Sequence, residues 1–445
     1  MAENEINELG QSTVPAAAGK RNFLLLVLDG ILFFAALAFI EPGTVLPAFV
    51  SRLTDSGVII GLVTVVRNGG WLLPQLVAAN YIEQQPRKRP IMLRYGFVSR
   101  LALIVLAVIV YSGRLSNPPA ILTLFFFLFL TFNFCEGIST VVWVDIIAAT
   151  IPASRRGALF SAMHFFGNLL GLGAGLVARS VLNNPGISFP RNFGLLFCLA
   201  AAVYCVEYIF LVLLWEVPAT AALPKRTLSD YFRSMPRLFR ANPHFSRLAI
   251  IRVLVGCSGM LVPFYVVHGQ RLLQLEPGFI GSFIFLQTAG SSLGSAVFGR
   301  LSDRCGNRSV ILSTAGAALL APLFALAALH ADGVIPAPLP VYVYAAVFIL
   351  LGVSYSGVMI GFTNYLLEIV RESERPSYYG MLNFLSASTM FLPLFGGLVI
   401  GAASFPAALL LGSVLLAAGF GLSLGLAEPR LTTTLKQSSR AGSCN

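Results

Sequence analysis

Twelve continuous apolar runs dominate the sequence: residues 23–49, 58–80, 91–112, 119–148, 157–182, 192–215, 246–270, 278–299, 308–330, 341–368, 377–400 and 404–427. A helix needs about 20 mostly apolar residues to cross the hydrocarbon core of a bilayer. Every run reaches that length, and none shows the short alternating segments of a transmembrane barrel. The runs predict an all-α membrane protein of twelve transmembrane helices. Charge supports this, since only 11% of the 445 residues are Asp, Glu, Lys or Arg. Soluble domains carry about 25%, so too few charges exist here to cover a soluble surface. A cytosolic enzyme, a secreted disulfide scaffold and a disordered regulator are excluded. The six cysteines contain no CxxC pair, so no disulfide framework and no metal site are expected. Residues 1–22 start acidic and lack a cleavable apolar core, so the first span is expected to act as its own insertion signal.

The basic residues fall unevenly about the spans. With the N-terminus inside, 22 of the 30 Lys and Arg lie in inner segments. Five lie in outer segments (Arg52, Arg114, Arg179, Arg191 and Arg271) and three inside spans (Arg67, Arg100 and Arg252). Cytoplasmic loops carry the excess of Lys and Arg, so both termini are expected in the cytoplasm of a bacterial inner membrane. The net charge of +11 then faces the anionic inner leaflet and needs no nucleic-acid partner.

The longest polar stretch, 216–245, follows the sixth span. It divides a cytoplasmic tail 1–22 and a six-helix bundle 23–215 from a second bundle 246–427 and a tail 428–445. Within it Leu228, Phe232, Met235 and Phe239 recur at helical spacing, interrupted by Pro236, so a kinked interfacial helix is expected. The two halves repeat. A shift of 220 residues aligns Ala79, Glu83, Pro86 and Lys88 with Gly299, Asp303, Gly306 and Arg308, and Gly61 and Gly70 with Gly281 and Gly290. A shift of 219 aligns Arg156 with Arg375. Parallel six-helix repeats place a substrate site between the halves near mid-membrane.

The stretch Gly299-Arg-Leu-Ser-Asp303-Arg304-Cys-Gly306-Asn-Arg308 resembles the loop signature of the major facilitator superfamily, G-x3-D-R-x-G-R-K/R. With twelve spans and a six-plus-six repeat, the resemblance covers nearly the whole chain. In the first copy Ala79, Glu83 and Pro86 replace Gly, Asp and Gly, and in the second Asn307 replaces the first basic residue. The signature implies an inner gate. A small residue at 79 or 299 is expected to allow close helix approach, and the acid at 83 or 303 to face a helix N-terminus. Arg87, Lys88 and Arg308 are expected to reach acids at helix ends, as Arg87–Asp145 and Arg308–Glu368 latches. The alternative is that they are topology-setting loop charges.

Ionisable groups inside spans are costly and point to function. Here they are Asp29, Glu41, Arg67, Arg100, Glu136, His164, Glu207 and Arg252, with His268 near a span end. Arg100 and Glu207 match in depth, and the resemblance makes their helices neighbours, so a structural ion pair is expected. Glu41 and Arg67 also match in depth, and Glu41-Pro42-Gly43 with Pro47 predicts a bent first helix. Two polar stripes follow helical spacing: Thr64, Arg67 or Asn68, Trp71 and Gln75; and Asn133, Glu136, Thr140 and Trp143. In the superfamily such helices line the central cavity. Glu41, Arg67 and Glu136 are therefore expected to face it, the alternative being a charge network that only ties the bundle together. Glu136 or Glu41 is the candidate proton carrier. His164, Arg252, Gln287 and Asn364 complete the expected lining, and His164 serves equally as a packing residue.

The fifth span reads Gly167-x3-Gly171-x-Gly173-x-Gly175, and the eleventh contains Pro393-x2-Gly396-Gly397. The second is similar to the Gly-Pro step of drug–proton antiporters, while packing is the plainer role of such glycines. No phosphate-binding G-x4-G-K-[ST] loop occurs, so ATP is not the energy source. The expected function is a secondary transporter moving a small organic solute by alternating access, as proton-coupled efflux, with no cofactor and as a monomer. Uptake of an anionic metabolite held by Arg67 or Arg252 is one alternative. A non-transporting assembly factor or receptor on the same fold is another. No enzyme motif is present in the spans.

Overall fold

The computed structural model describes residues 16–82, 85–114, 117–216, 239–331, 339–371 and 374–429. Glu83, the linker pattern Leu228–Met235, and most of both tails lie outside these residues. Among the described residues every regular element is a helix. Eleven helical stretches among the described residues are long and apolar enough to cross a membrane. The remaining expected span is the helix Phe279–Cys305 of 27 residues, about 40 Å at 1.5 Å per residue. It is long enough, but Gln287, Thr288, Ser291, Ser292 and Ser295 lower its hydropathy. Phe127, Phe165 and Val414 are each 66% exposed, as suits side chains solvated by lipid.

Two compact units divide the chain: Met1–Glu41 with Val66–Lys225, and Pro42–Val65 with Arg226–Asn445. In the first, α1 (Ala16–Phe39) packs on α6 (Ala153–Leu182) and α7 (Arg191–Leu213), and α4 (Arg89–Ser112) packs on α5 (Pro118–Thr150) and α7. Leu26, Met92, Val142, Ile146, Met163 and Leu211 share its core. This packing brings α1, α4, α5 and α7 within side-chain reach of one another.

The first span breaks completely after α1. The chain turns through Glu41-Pro42-Gly43 and re-enters a helix at α2 (Val45–Ser51). One repeat later the seventh span breaks similarly, with α8 (Pro243–Gly256), a tight turn Cys257–Met260 and α9 (Val262–Leu272). Both breaks sit at a proline, Pro42 or Pro263, which lacks the N–H that a continuing helix needs. Pro263 instead occupies the first turn of α9, where that donor is spare. Asn242 starts α8 by accepting the Phe245 N–H at 3.1 Å.

The second unit continues with α10 (Phe279–Cys305), α11 (Asn307–Ala331), α12 (Leu339–Gly357), α13 (Thr363–Ile369), α14 (Arg375–Ala387), α15 (Leu392–Ala402) and α16 (Phe405–Leu424). A π-helical turn, Val358–Phe362, joins α12 to α13. A tight turn, Ser388–Phe391, joins α14 to α15 before Pro393. Its core includes Phe245, Leu248, Ile251, Ile311, Tyr365 and Leu416.

Glycines set the closest helix approaches here. A Cβ on Gly290 would lie 2.3 Å from the Ile349 carbonyl oxygen, and one on Gly352 2.0 Å from that of Gln287, so only glycine fits the α10–α12 seam. Gly299 has open space around it; close approach falls two to three turns earlier in α10. The second seam joins α3 (Gly57–Ile82) to α15. A Cβ on Gly61 would lie 2.3 Å from the Pro393 oxygen, and one on Gly397 2.4 Å from the Gly57 carbonyl. The Pro393–Gly397 step is thus a packing surface. In the fifth span Gly167 admits Phe34 while Gly173 touches nothing.

Candidate functional site

Arg100 on α4 is the hub of the first unit. It is 4% exposed, beside Glu136 at 7%, Glu207 at 2% and Asp29 at 4%. Its guanidinium donates to the Glu136 carboxylate through Nη1 and to the Glu207 carboxylate through Nη2. Nη1 also donates to Ser99 Oγ at 2.7 Å. Ser99 Oγ in turn donates to Glu136 Oε1 at 2.6 Å. The rings of Tyr204 and Tyr208 flank the guanidinium carbon at 5.5 and 5.6 Å. A planar guanidinium holds two carboxylates in a fixed fork geometry that a compact ammonium does not provide.

Asp29 completes the cluster from α1. Its Oδ2 accepts from Trp143 Nε1 at 2.8 Å, and its carboxyl group meets that of Glu207. No donor among the described residues reaches Asp29 Oδ1. The sequence marked Asp29 as a span charge but gave it no role. The missing signal was the indole of Trp143, ten residues after Asn133 in the polar stripe.

The stripe on α5 does not face one way. Arg67 Nη1 donates to Asn133 Oδ1 at 3.1 Å, and Trp71 Nε1 to Thr140 Oγ1 at 3.2 Å. Glu136 is turned instead toward Arg100. At 100° per residue, three residues fall about 60° short of a full turn, which carries Glu136 from the α3 side to the α4 side. Arg67 and Glu136 therefore have different partners. Glu41 sits half-buried at the break after α1, and His164 is exposed with its ring 4.5 Å from that of Phe34. In the second unit Gln287 and Asn364 are half-buried, as is Arg252, whose guanidinium carbon is 5.4 Å from the Phe362 ring centre.

The loop motifs form two related end structures. In the first unit Lys88 Nζ, not Arg87, holds Asp145, and Arg87 is exposed. Glu216 accepts the backbone N–H groups of Lys88 and Arg89 at the start of α4. In the second unit Asn307 Nδ2 donates to Glu368 Oε1 at 2.9 Å, and its Oδ1 accepts from Ser302 Oγ at 2.7 Å. Arg308 Nη2 donates to the Leu424 carbonyl at 2.9 Å, while Glu428 accepts the Arg308 N–H at 3.1 Å. Asn307 thus supplies the hydrogen bond at the position where the signature has a basic residue. Glu216 and Glu428 were missed from sequence. Each follows the last span of its half and puts negative charge at a helix N-terminus, where it is favourable. Asp303 and Arg304 are exposed.

Gly306 has φ +82°, and a Cβ there would lie 2.3 Å from the Glu428 carboxyl carbon. Gly306→Ala is expected to cost about 1–3 kcal/mol from the left-handed backbone, while displacing Glu428. Thermal unfolding of the purified variant in detergent measures it, and an unchanged midpoint would refute the cradle.

Among the described residues no group of three or more His, Cys, Asp or Glu is arranged to hold a metal ion. The Asp29, Glu136 and Glu207 cluster is organised around a guanidinium instead.

Comparison with known proteins agrees with this architecture. The family model described as Major Facilitator Superfamily matches residues 248–442. Uncharacterized proteins of Mycobacterium bovis and Mycobacterium tuberculosis are 25% identical over 198 residues, 44% of this chain. The match covers 37% of those relatives' own length. A crystal structure of the nucleoside transporter NupG has a TM-score of 0.68 at 15% identity, covering 91% of this chain and 99% of that one. A POT family transporter in complex with 5-aminolevulinic acid gives 0.67 at 14%, covering 92% and 96%. A bacterial homologue of the lysosomal transporter Spinster gives 0.63 at 14%, covering 94% and 99%. Those identities establish the shared fold, and the family match adds sequence kinship over the second half. With its helical spans and a fold shared with solved membrane transporters, this chain is a multi-pass membrane protein whose residues 248–442 match the Major Facilitator Superfamily model.

Proposed function

We propose that the protein is a proton-coupled secondary transporter of a small organic solute, working by alternating access and run as efflux against an inward proton gradient, with its termini in the cytoplasm. The single observation that carries the coupling is the meeting of the Asp29 and Glu207 carboxyls inside the first unit. Two carboxylates in contact repel unless a proton lies between them. Charge balance agrees. Asp29, Glu136 and Glu207 face Arg100, and Arg67 is one helical turn from Glu136 through Asn133. Three carboxylates against two guanidiniums leave one negative charge, and uncompensated charge inside a membrane protein is expensive. One bound proton cancels it. The other titratable groups around the cluster are Cys135, Tyr204, Cys205 and Tyr208. Asp29, rather than Glu136 or Glu41, is the carrier on this reading, because Glu136 is committed to Arg100. Two neighbours with this fold are described as a nucleoside transporter and as a transporter holding 5-aminolevulinic acid, both ligands being small polar organic molecules.

A second reading, uptake of an anionic solute together with protons, is favoured by Arg252, a span cation that no carboxylate meets among the described residues. In either direction Asp29→Asn removes the proton site while keeping an acceptor for Trp143. Proteoliposomes containing the variant are expected to retain exchange of a labelled solute yet lose solute-driven pH change, read with a trapped pH-sensitive dye. Wild-type pH coupling in Asp29→Asn would sink the assignment.

A further inference from the structure

We infer that Arg252 is the recognition point for the carboxylate of an anionic solute with a flat apolar body. This deepens the transporter reading and rests on it. Arg252 is the tenth residue of α8, about 14 Å along the helix from its start. Its only close partners among the described residues are aromatic. Phe362, 1% exposed, stands under the guanidinium, and Tyr355 and Tyr379 are its electrostatic neighbours. No carboxylate pairs with it among the described residues, in contrast to Arg100, which holds two. Nor does it donate to any carbonyl or side-chain acceptor there, whereas Arg67 has Asn133.

A span cation left in this state costs free energy that a bound anion returns. The planar fork selects a planar, bidentate acceptor, which a carboxylate is. The three rings supply faces for an apolar body. The backbone around the site is irregular on all three elements. The turn Cys257–Met260 follows α8, the π-helical turn carries Phe362, and the turn Ser388–Phe391 follows the helix carrying Tyr379. Such helix interruptions recur at ligand sites in membrane transporters.

The test uses the full-length protein in phosphatidylcholine nanodiscs, with benzoate as probe and benzamide as its uncharged isostere. Benzoate is expected to raise the thermal unfolding midpoint saturably, and benzamide is not. Arg252→Gln is expected to weaken the benzoate effect by about tenfold or more, with Arg252→Lys intermediate. Ligand-free Arg252→Gln is expected to unfold no earlier than wild type, because among the described residues the lost charge faces aromatic rings and no carboxylate. Equal responses to benzoate and benzamide would overturn the inference. So would an undiminished benzoate response in Arg252→Gln, or early unfolding of that variant without ligand, which would make Arg252 a structural residue. Stabilisation by phosphatidylglycerol that depends on Arg252, with none from benzoate, would assign the position to lipid and also overturn it. Failure of the transporter reading shows differently: benzoate binds through Arg252, yet no solute drives flux in proteoliposomes.

Discussion

Arg100→Ala is expected to destabilise the first unit by about 3–5 kcal/mol, the usual loss when one partner of a buried ion pair is removed. The substitution takes one cation away from two carboxylates, those of Glu136 and Glu207, and from the neighbouring Asp29. Among the described residues only Ser99 Oγ remains to donate to Glu136. It also empties the space between the Tyr204 and Tyr208 rings. Arg100→Lys is expected to recover a minor part, because one ammonium lacks the fork that spans both acids. The informative comparison is the triple variant Arg100→Ala, Glu136→Gln, Glu207→Gln. Neutralising the stranded acids is expected to restore much of the lost stability, as replacing a whole buried charge group often does. Thermal unfolding in detergent reads all three variants. A triple variant as unstable as Arg100→Ala would mean that packing, not charge, dominates the effect.

Gly61→Leu is expected to split the α3–α15 seam. Even its Cβ would fall 2.3 Å from the Pro393 oxygen and 2.7 Å from its carbonyl carbon, so backbone rather than a flexible side chain must move. Overpacking a tight site costs about 1–3 kcal/mol, and with backbone on both sides the upper end applies. Gly401→Leu is the control on the same helix α15, since nothing lies within 4 Å of an added Cβ there. Unfolding midpoints should fall in the first variant and hold in the second. Equal midpoints in the two variants would show that the seam tolerates separation.

Depth along a helix was readable from spacing, and orientation around it was only partly so. Arg100 and Glu207 share a depth in the sequence, and the structure joins them. Glu136 shares a polar stripe with Asn133 and Thr140, yet the small angular drift between 3.6 residues and a three-residue step sends it to another neighbour. Trp143 drifts further and reaches Asp29. At the loop ends, one-residue differences decided the partners. Asp145 goes to Lys88 rather than to the adjacent Arg87, and Glu368 receives Asn307. Register at a helix start cannot be read from charge alone, because neighbouring residues point about 100° apart.

By itself the sequence determined the helical spans, the break at Pro42, and which few charges lie within the spans. Those follow from local rules: apolar length, proline's missing donor, and the cost of burying charge. Tertiary structure alone decided which charges meet. The four-way contact among Asp29, Arg100, Glu136 and Glu207 draws on four helices scattered over 16–213. The aromatic surroundings of Arg252, with no carboxylate among the described residues, likewise depend on how elements distant in sequence pack. Segment 42–65 packs with the C-terminal helices because Gly57 and Gly61 remove the side chains that would hold α3 and α15 apart. Spacing along one helix sets depth; partners are set by how helices distant in sequence pack, and no local pattern encodes that.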